Sequence, residues 1–313
     1  MKSIVIYYSM SGNTKKIAQA IHSGMSQLGE QCDIARLRDV NTQDLEGYDL
    51  IGLGSPVINQ KEPPNVTGFI QRSLVSVDGK HGFVFCTHGA SPCRYLSNVV
   101  PAMIQRGLTI VGWNDWFGSA FYPVIPKPYL TDGHPDAIDL KEAEDFGREM
   151  AERSQSIYQG NTQLIPAFPK GREYDELYEP SEAKPWVFPE TMEYGKVMRS
   201  TKFNINAKKC RYPKCTHCID NCPAGNIGHS TYGPVFYSSC ALCFLCEQTC
   251  PQAAIEIDWV PLEEAHYALV KSWLKKSTDV FEAKGRFRRL VPMEDLGWDT
   301  PFWKNKPPRF KIP

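Results

Sequence analysis

Eight of the eleven cysteines in this 313-residue chain fall into two near-copies of one pattern, and that spacing limits what the chain can become. The copies read Cys210-x4-Cys215-x2-Cys218-x3-Cys222-Pro and Cys240-x2-Cys243-x2-Cys246-x3-Cys250-Pro. Cys215 to Cys243, Cys218 to Cys246 and Cys222 to Cys250 are each 28 residues apart, while Cys210 to Cys240 is 30. The pattern is an internal duplication with one two-residue insertion between Cys210 and Cys215. Cysteines at successive x2 spacing set three thiolates on one tight curl of backbone, enough to hold three irons of a cubane. The fourth, just before a proline, serves the other cluster. Structural zinc is the alternative, and it uses paired C-x2-C knuckles or Cys/His mixtures. Zinc would leave the middle cysteine of each triplet idle and Pro223 and Pro251 unexplained.

Residues 203–259 resemble a bacterial-type ferredoxin with two 4Fe–4S clusters. The resemblance implies two ligand sets, Cys210, Cys215, Cys218, Cys250 and Cys240, Cys243, Cys246, Cys222, and a role in moving electrons. The chain departs from that family at Arg211-Tyr212-Pro213-Lys214, where two residues are usual. The longer loop brings two cations beside the first cluster, and positive charge there raises a reduction potential.

The length suits about two domains. Basic and acidic residues balance at 35 each, which argues against nucleic acid as the main partner, since that demands a basic face. No apolar run approaches the ~20 residues needed to span a bilayer. Met1-Lys2 leads directly into an apolar strand with no signal-peptide pattern, so the expected location is a reducing, anaerobic cytoplasm. Cys32, Cys86 and Cys93 read as small core residues rather than disulfide partners.

Residues 1–160 alternate short apolar strands with amphipathic helices, the mark of a parallel sheet covered on both faces. The strands expected are Ser3–Tyr8, Cys32–Leu37, Leu50–Gly54, Gly82–Thr87 and Thr109–Trp113. The helices expected are Thr14–Gln27, Val66–Leu74, Arg94–Arg106 and Leu140–Tyr158. Ligands of such sheets bind at the carboxyl ends of the strands. There the first strand opens into Ser9-Met10-Ser11-Gly12-Asn13-Thr14, where hydroxyls and backbone amides gather at a helix N-terminus, a small anion pocket. The loop holds no lysine and matches neither the P-loop nor the dinucleotide fingerprint, so a monophosphate suits it better than a triphosphate. A serine-rich turn that merely caps a helix is the alternative.

This half resembles flavodoxins, whose FMN phosphate sits in such a first loop. The resemblance implies that Ser55, Pro56, Val57, Ile58 and Asn59 after the third strand cradle the isoalloxazine. After the fourth, Thr87, His88, Gly89, Ala90 and Ser91 do so, with Tyr95 just beyond. Carrier flavodoxins usually cover the ring with aromatics. Val57 and Ile58 are not aromatic and would leave one face open for a substrate or partner. His88 is the candidate proton donor at the ring, with an ordinary hydrogen-bonded role as the alternative.

The expected order is therefore α/β followed by α+β. A flavodoxin-like doubly wound parallel sheet (1–160) is followed by a proline- and aromatic-rich linker (161–202). A small ferredoxin-like domain (203–259) and a basic helix with a C-terminal arm (260–313) complete the chain. The linker's aromatics indicate packing against a domain rather than disorder. Leu262–Ala283 reads as a helix with Leu262, His266, Leu269, Trp273 and Phe281 near one face. Between Lys271 and Arg289 lie seven basic and two acidic residues, either a solvated face or a dock for an acidic donor such as a free ferredoxin. Trp298–Pro313 reads as an arm lying on another surface, such as a second subunit of a homo-oligomer. As a whole the chain resembles flavodoxin–ferredoxin fusion proteins of anaerobes. That implies FMN and two 4Fe–4S clusters exchanging electrons with redox partner proteins, a larger reductase complex or a small acceptor. A dedicated electron-transfer module without its own substrate is the alternative. Residues 1–160 carry 14 basic and 17 acidic residues, too even a balance for a free acidic carrier.

Overall fold

The computed structural model describes residues 1–178, 196–197, 200–263 and 274–297, apart from 30, 76, 126 and 239. The chain divides into two compact units. The first comprises Met1–Ser119 and Gly133–Tyr178. The second comprises Ala120–Asp132 and the described residues from 196 onward.

In the first unit β1 (Ser3–Tyr7), β2 (Cys32–Arg36), β3 (Leu50–Pro56), β4 (His81–His88) and β5 (Thr109–Phe117) form one parallel sheet. Its order is β2-β1-β3-β4-β5. This is the flavodoxin-like doubly wound order, with its switch point beside β1. Helices α1 (Asn13–Ser26), α2 (Pro64–Ser73), α3 (Tyr95–Gln105) and α4 (Ala137–Tyr158) intervene or follow. Side chains alternate across a strand, and the core divides accordingly. Ile4, Ile6, Ile51 and Leu53 bury on one face with Val66, Phe69 and Val99. Val5, Tyr7 and Phe83 bury on the other with Ile17, Ile21 and Met150. Glycine brings α1 and α4 close: a Cβ at Gly24 would sit 1.8 Å from the Glu144 carbonyl oxygen, and one at Gly147 2.1 Å from that of Ile21.

The expected strands and helices all form, with β3, β4 and β5 each longer than expected. Strand β5 runs on to Phe117 rather than ending at Trp113, because Asn114 and Asp115 break the apolar pattern but not the ladder. Part of the expected linker packs as expected of its aromatics. Tyr174 and Tyr178 of α5 (Arg172–Tyr178) are buried in the α2–α3 side of the core, with Phe168 against it. Residues 179–195 and 198–199 of that linker, 264–273 and the arm 298–313 lie outside the described residues.

The second unit has short elements. Strand β6 (Phe203–Ile205) pairs antiparallel with β9 (Ile255–Ile257), and β7 (Ile227–Gly228) with β8 (Val235–Phe236). Helices α6 (His217–Asp220) and α7 (Leu245–Thr249) start 28 residues apart, the period of the cysteines. So do two left-handed turns, at Gly225 (φ 58°) and Ala253 (φ 49°). The segment that follows β5 belongs here. Val124 is buried with Phe244, Trp259 and Leu262, Tyr122 meets Phe244 edge-on at 5.2 Å, and Gln248 Nε2 donates to the Phe121 carbonyl at 3.3 Å. Lys275–Ala283 is helical (α8), and Phe281 is buried, as the sequence indicates; His266, Leu269 and Trp273 lie outside the described residues.

Candidate functional site

At the carboxyl edge of the sheet the loops are tied to one another. Tyr8 N donates to Gly54 O (2.9 Å), Val57 N to Thr87 O (2.9 Å), Gly118 N to His88 O (2.9 Å) and Arg94 N to Gln60 O (3.0 Å). The Thr14 and Thr87 hydroxyls meet at 2.8 Å in the interior, and Asn13 Nδ2 donates to Ser119 O at 2.9 Å. Side chains of the first loop thus hold the loops after β4 and β5 in place.

The first loop turns through Gly12 at φ 102°, a left-handed conformation that glycine adopts without cost. A Cβ there would meet nothing within 4 Å, so backbone angle, not crowding, calls for glycine. Ser9 Oγ accepts from Gly12 N at 3.1 Å and keeps its own hydrogen to donate. Ser11 is exposed. Helix α1 has no side-chain cap and no acidic residue in its first turn, where Lys15 and Lys16 follow Asn13 and Thr14. Unsatisfied amides and the positive end of the helix dipole face that end, so the residues fit a phosphate.

The second loop is a tight turn. Ile58 and Lys61 exchange backbone hydrogen bonds at 2.8 and 3.2 Å, with Asn59 and Gln60 at φ 47° and 70°, as a two-residue hairpin turn requires. Ile58 is buried and Val57 packs half-buried on the core. In the third loop His88 is 5% exposed; its Nε2 lies 2.8 Å from Asp115 Oδ2 and its ring meets Phe117 edge-on at 4.6 Å. His88 Nδ1 is buried without a hydrogen-bond partner among the described residues. Ser91 Oγ accepts from Cys93 N at 3.2 Å, which shapes the turn. Tyr95, expected among the FMN-loop residues just beyond the third loop, lies in the interior. It is fully buried with its hydroxyl 3.2 Å from Ser55 Oγ, and burial pushes its phenol well above the ordinary range. It is a core residue beneath the loops. Asp115 and Phe117 were missed in the sequence because the strand was ended too early.

In the second unit the eight cysteines sort into two cavities. Cys210, Cys215, Cys218 and Cys250 line one, together with Arg211, His217 and Gln252. Cys222, Cys240, Cys243 and Cys246 line the other, with Phe203, Phe236 and Phe244. Backbone amides point at sulfur in both: Asn226 N to Cys222 Sγ, Leu242 N to Cys240 Sγ and Ala254 N to Cys250 Sγ, each 3.3 Å. Burial pushes the Cys218 thiol up to about 11 and Cys243 up to about 12. Neighbouring thiolates add to it: Cys250, Cys210 and Cys215 at Cys218, Cys222 and Cys240 at Cys243. In the basic stretch, Lys275 pairs with Asp279 (2.6 Å), and Arg289 with Asp279 and Glu282 (each 2.8 Å). No helix among the described residues is long and apolar enough to cross a membrane.

The flavodoxin domain family matches residues 4–96. A flavodoxin-like domain-containing protein, BilS, of Clostridioides difficile is 32% identical over 170 residues, covering 48% of this chain and 96% of that protein. Through its first half, this chain belongs to the flavodoxin-like family. An uncharacterized protein of Methanocaldococcus jannaschii is 27% identical over 155 residues, covering 48% of this chain and 98% of its own length. An NAD(P)H dehydrogenase (quinone) of Archaeoglobus fulgidus is 24% identical over 200 residues, 49% of this chain and 97% of that protein. Among solved structures, a flavodoxin from the domain Archaea is 26% identical, covers 50% of this chain and 99% of its own, and has a TM-score of 0.41. Membership of the flavodoxin-like family implies FMN and electron transfer.

Proposed function

We propose that the chain is an FMN- and iron–sulfur-dependent oxidoreductase. FMN binds the strand-end loops of the first unit and two 4Fe–4S clusters bind the cysteines of the second, so that the chain interconverts one- and two-electron transfer. The observation that carries this is the sorting of the cysteines. Each cavity takes three thiols from one sequence copy and the fourth from the other, the crossed arrangement of two-cluster proteins. Thiols ranged around a space suit a cubane, whose irons each take one, better than tetrahedral zinc.

On this reading the α1 N-terminus and Ser9 hold the phosphate, and the turn at Asn59 and the loop at Gly89 border the ring. Thr14 and Asn13 keep these loops in register. Bound FMN would supply two-electron or single-electron exchange, and the clusters single electrons. His88 is held to Asp115, so its part is to orient rather than to exchange protons with solvent. That burial is also the observation favouring a second reading, a dedicated electron-transfer module passing electrons only to a partner protein. The Lys271–Arg289 stretch, with seven basic residues against two acidic, would receive an acidic partner.

Anaerobic reconstitution tests the assignment. About eight irons and one FMN per chain are expected; stoichiometric zinc in place of iron would refute it. Cys222→Ala should remove the centre built on Cys240, Cys243 and Cys246 and spare the other. Reoxidation of the reduced protein by small acceptors at catalytic rates separates the enzyme from the module, which a protein partner alone would reoxidise.

A further inference from the structure

The two cavities come from one duplicated pattern, yet their walls differ. Position 217 is histidine in the first copy and its equivalent, 28 residues on, is Leu245. His217 lies between Cys215 and Cys218 and lines the first cavity, whereas the second is walled largely by Phe203, Ile227, Phe236 and Phe244. Its polar side chain, Asn226, occupies the position that is Ala254 in the first. His217 Nε2 is buried and has no hydrogen-bond partner among the described residues. The other ring nitrogen bears on the tautomer. Asn221 Nδ2 donates to the His217 carbonyl at 2.9 Å, which orients the amide, and the same nitrogen lies 3.5 Å from His217 Nδ1. An amide nitrogen only donates, so this long contact suits the tautomer with the hydrogen on Nε2. A buried N–H without a protein acceptor is costly, and the acceptors that a cluster would bring to this cavity are its sulfurs.

We propose that His217 donates an Nε2–H hydrogen bond to the first iron–sulfur centre and thereby raises its reduction potential above what the shared cysteine pattern would give. This rests on the iron–sulfur reading of the second unit. A donor to sulfur stabilises the more negative, reduced cluster. His217 is a positioning and tuning residue, and its removal leaves all eight ligands in place. Arg211, beside the same cavity, adds a positive charge that acts in the same direction.

The test is an anaerobic dithionite titration of the reconstituted full chain, followed by electron paramagnetic resonance, for wild type, His217→Leu and His217→Gln. The first centre's signal is identified by its loss in Cys215→Ala. In His217→Leu the first centre should shift to lower potential with the second unmoved, and His217→Gln, which restores an amide donor, should recover part of the shift. Eight irons with both potentials unmoved in His217→Leu would overturn the role, as would an equal shift of both centres. If His217→Leu fails to load iron, His217→Met, apolar and of similar reach, carries the same two outcomes. An iron-free wild type would instead overturn the reading beneath it.

Discussion

The first unit buries two apolar clusters, one on each face of its sheet, with Val5, Ile6, Ile17, Ile21, Leu53 and Val84 fully enclosed. In the second unit Val124, Phe244, Trp259 and Leu262 form one small buried cluster, beside two cavities lined with eight thiols. Its paired strands are two or three residues long. Elements this short bury little area, and on the iron–sulfur reading proposed above bound clusters would add cross-links to them. On that reading the first unit is held by its core, and the second would depend also on what it binds.

The comparison breaks most severely if metal removal leaves both units intact. Without metal, the second unit should lose amide protection while the β1–β5 sheet keeps it, read by hydrogen exchange. Cys218 and Cys243, pushed up to about 11 and about 12, are protonated near neutrality in the absence of metal. On the iron–sulfur reading, cluster binding would release protons, and cluster retention should weaken as pH falls.

A smaller effect tests the core. Gly24→Ala would drive a Cβ into the Glu144 carbonyl and should cost about 2–3 kcal/mol by forcing α1 from α4. Thermal unfolding of the first unit should report it with the iron content of the second unchanged. At the loops, Ser11→Asp sets an anion against the α1 N-terminus. FMN affinity should fall about tenfold, on the order of 1–2 kcal/mol, with little change in melting temperature because Ser11 is exposed. Flavin retained at full affinity would mean that the phosphate binds elsewhere. The smallest change is Thr14→Val, which removes the hydroxyl pair with Thr87 and should cost about 1 kcal/mol of stability. It should weaken FMN by a comparable factor, measured by fluorescence titration.

The sheet was legible because the short apolar runs of β1 and β3 and the stripe of α1 need only local sequence. The first loop was legible for the same reason, a strand running straight into Gly12 and a helix. The burial of Tyr95 was not legible, because nothing in the sequence separates an aromatic beside a ligand from one beneath the loops; it depends on Ser55 and the far side of the core. Asp115 was invisible as the partner of His88, since that pairing spans two strands.

The sequence by itself determined the parallel sheet, the hydroxyl-rich loop and the repeated thiols, because each is written in residues a few positions apart. Only the tertiary structure decided that Ala120–Asp132 packs with the second unit, that His88 is locked to Asp115, and that His217 looks into one cavity where Leu245 stands in the repeat. These depend on contacts between residues distant in the chain. No local pattern encodes them, because it is folding that chooses which distant surfaces meet.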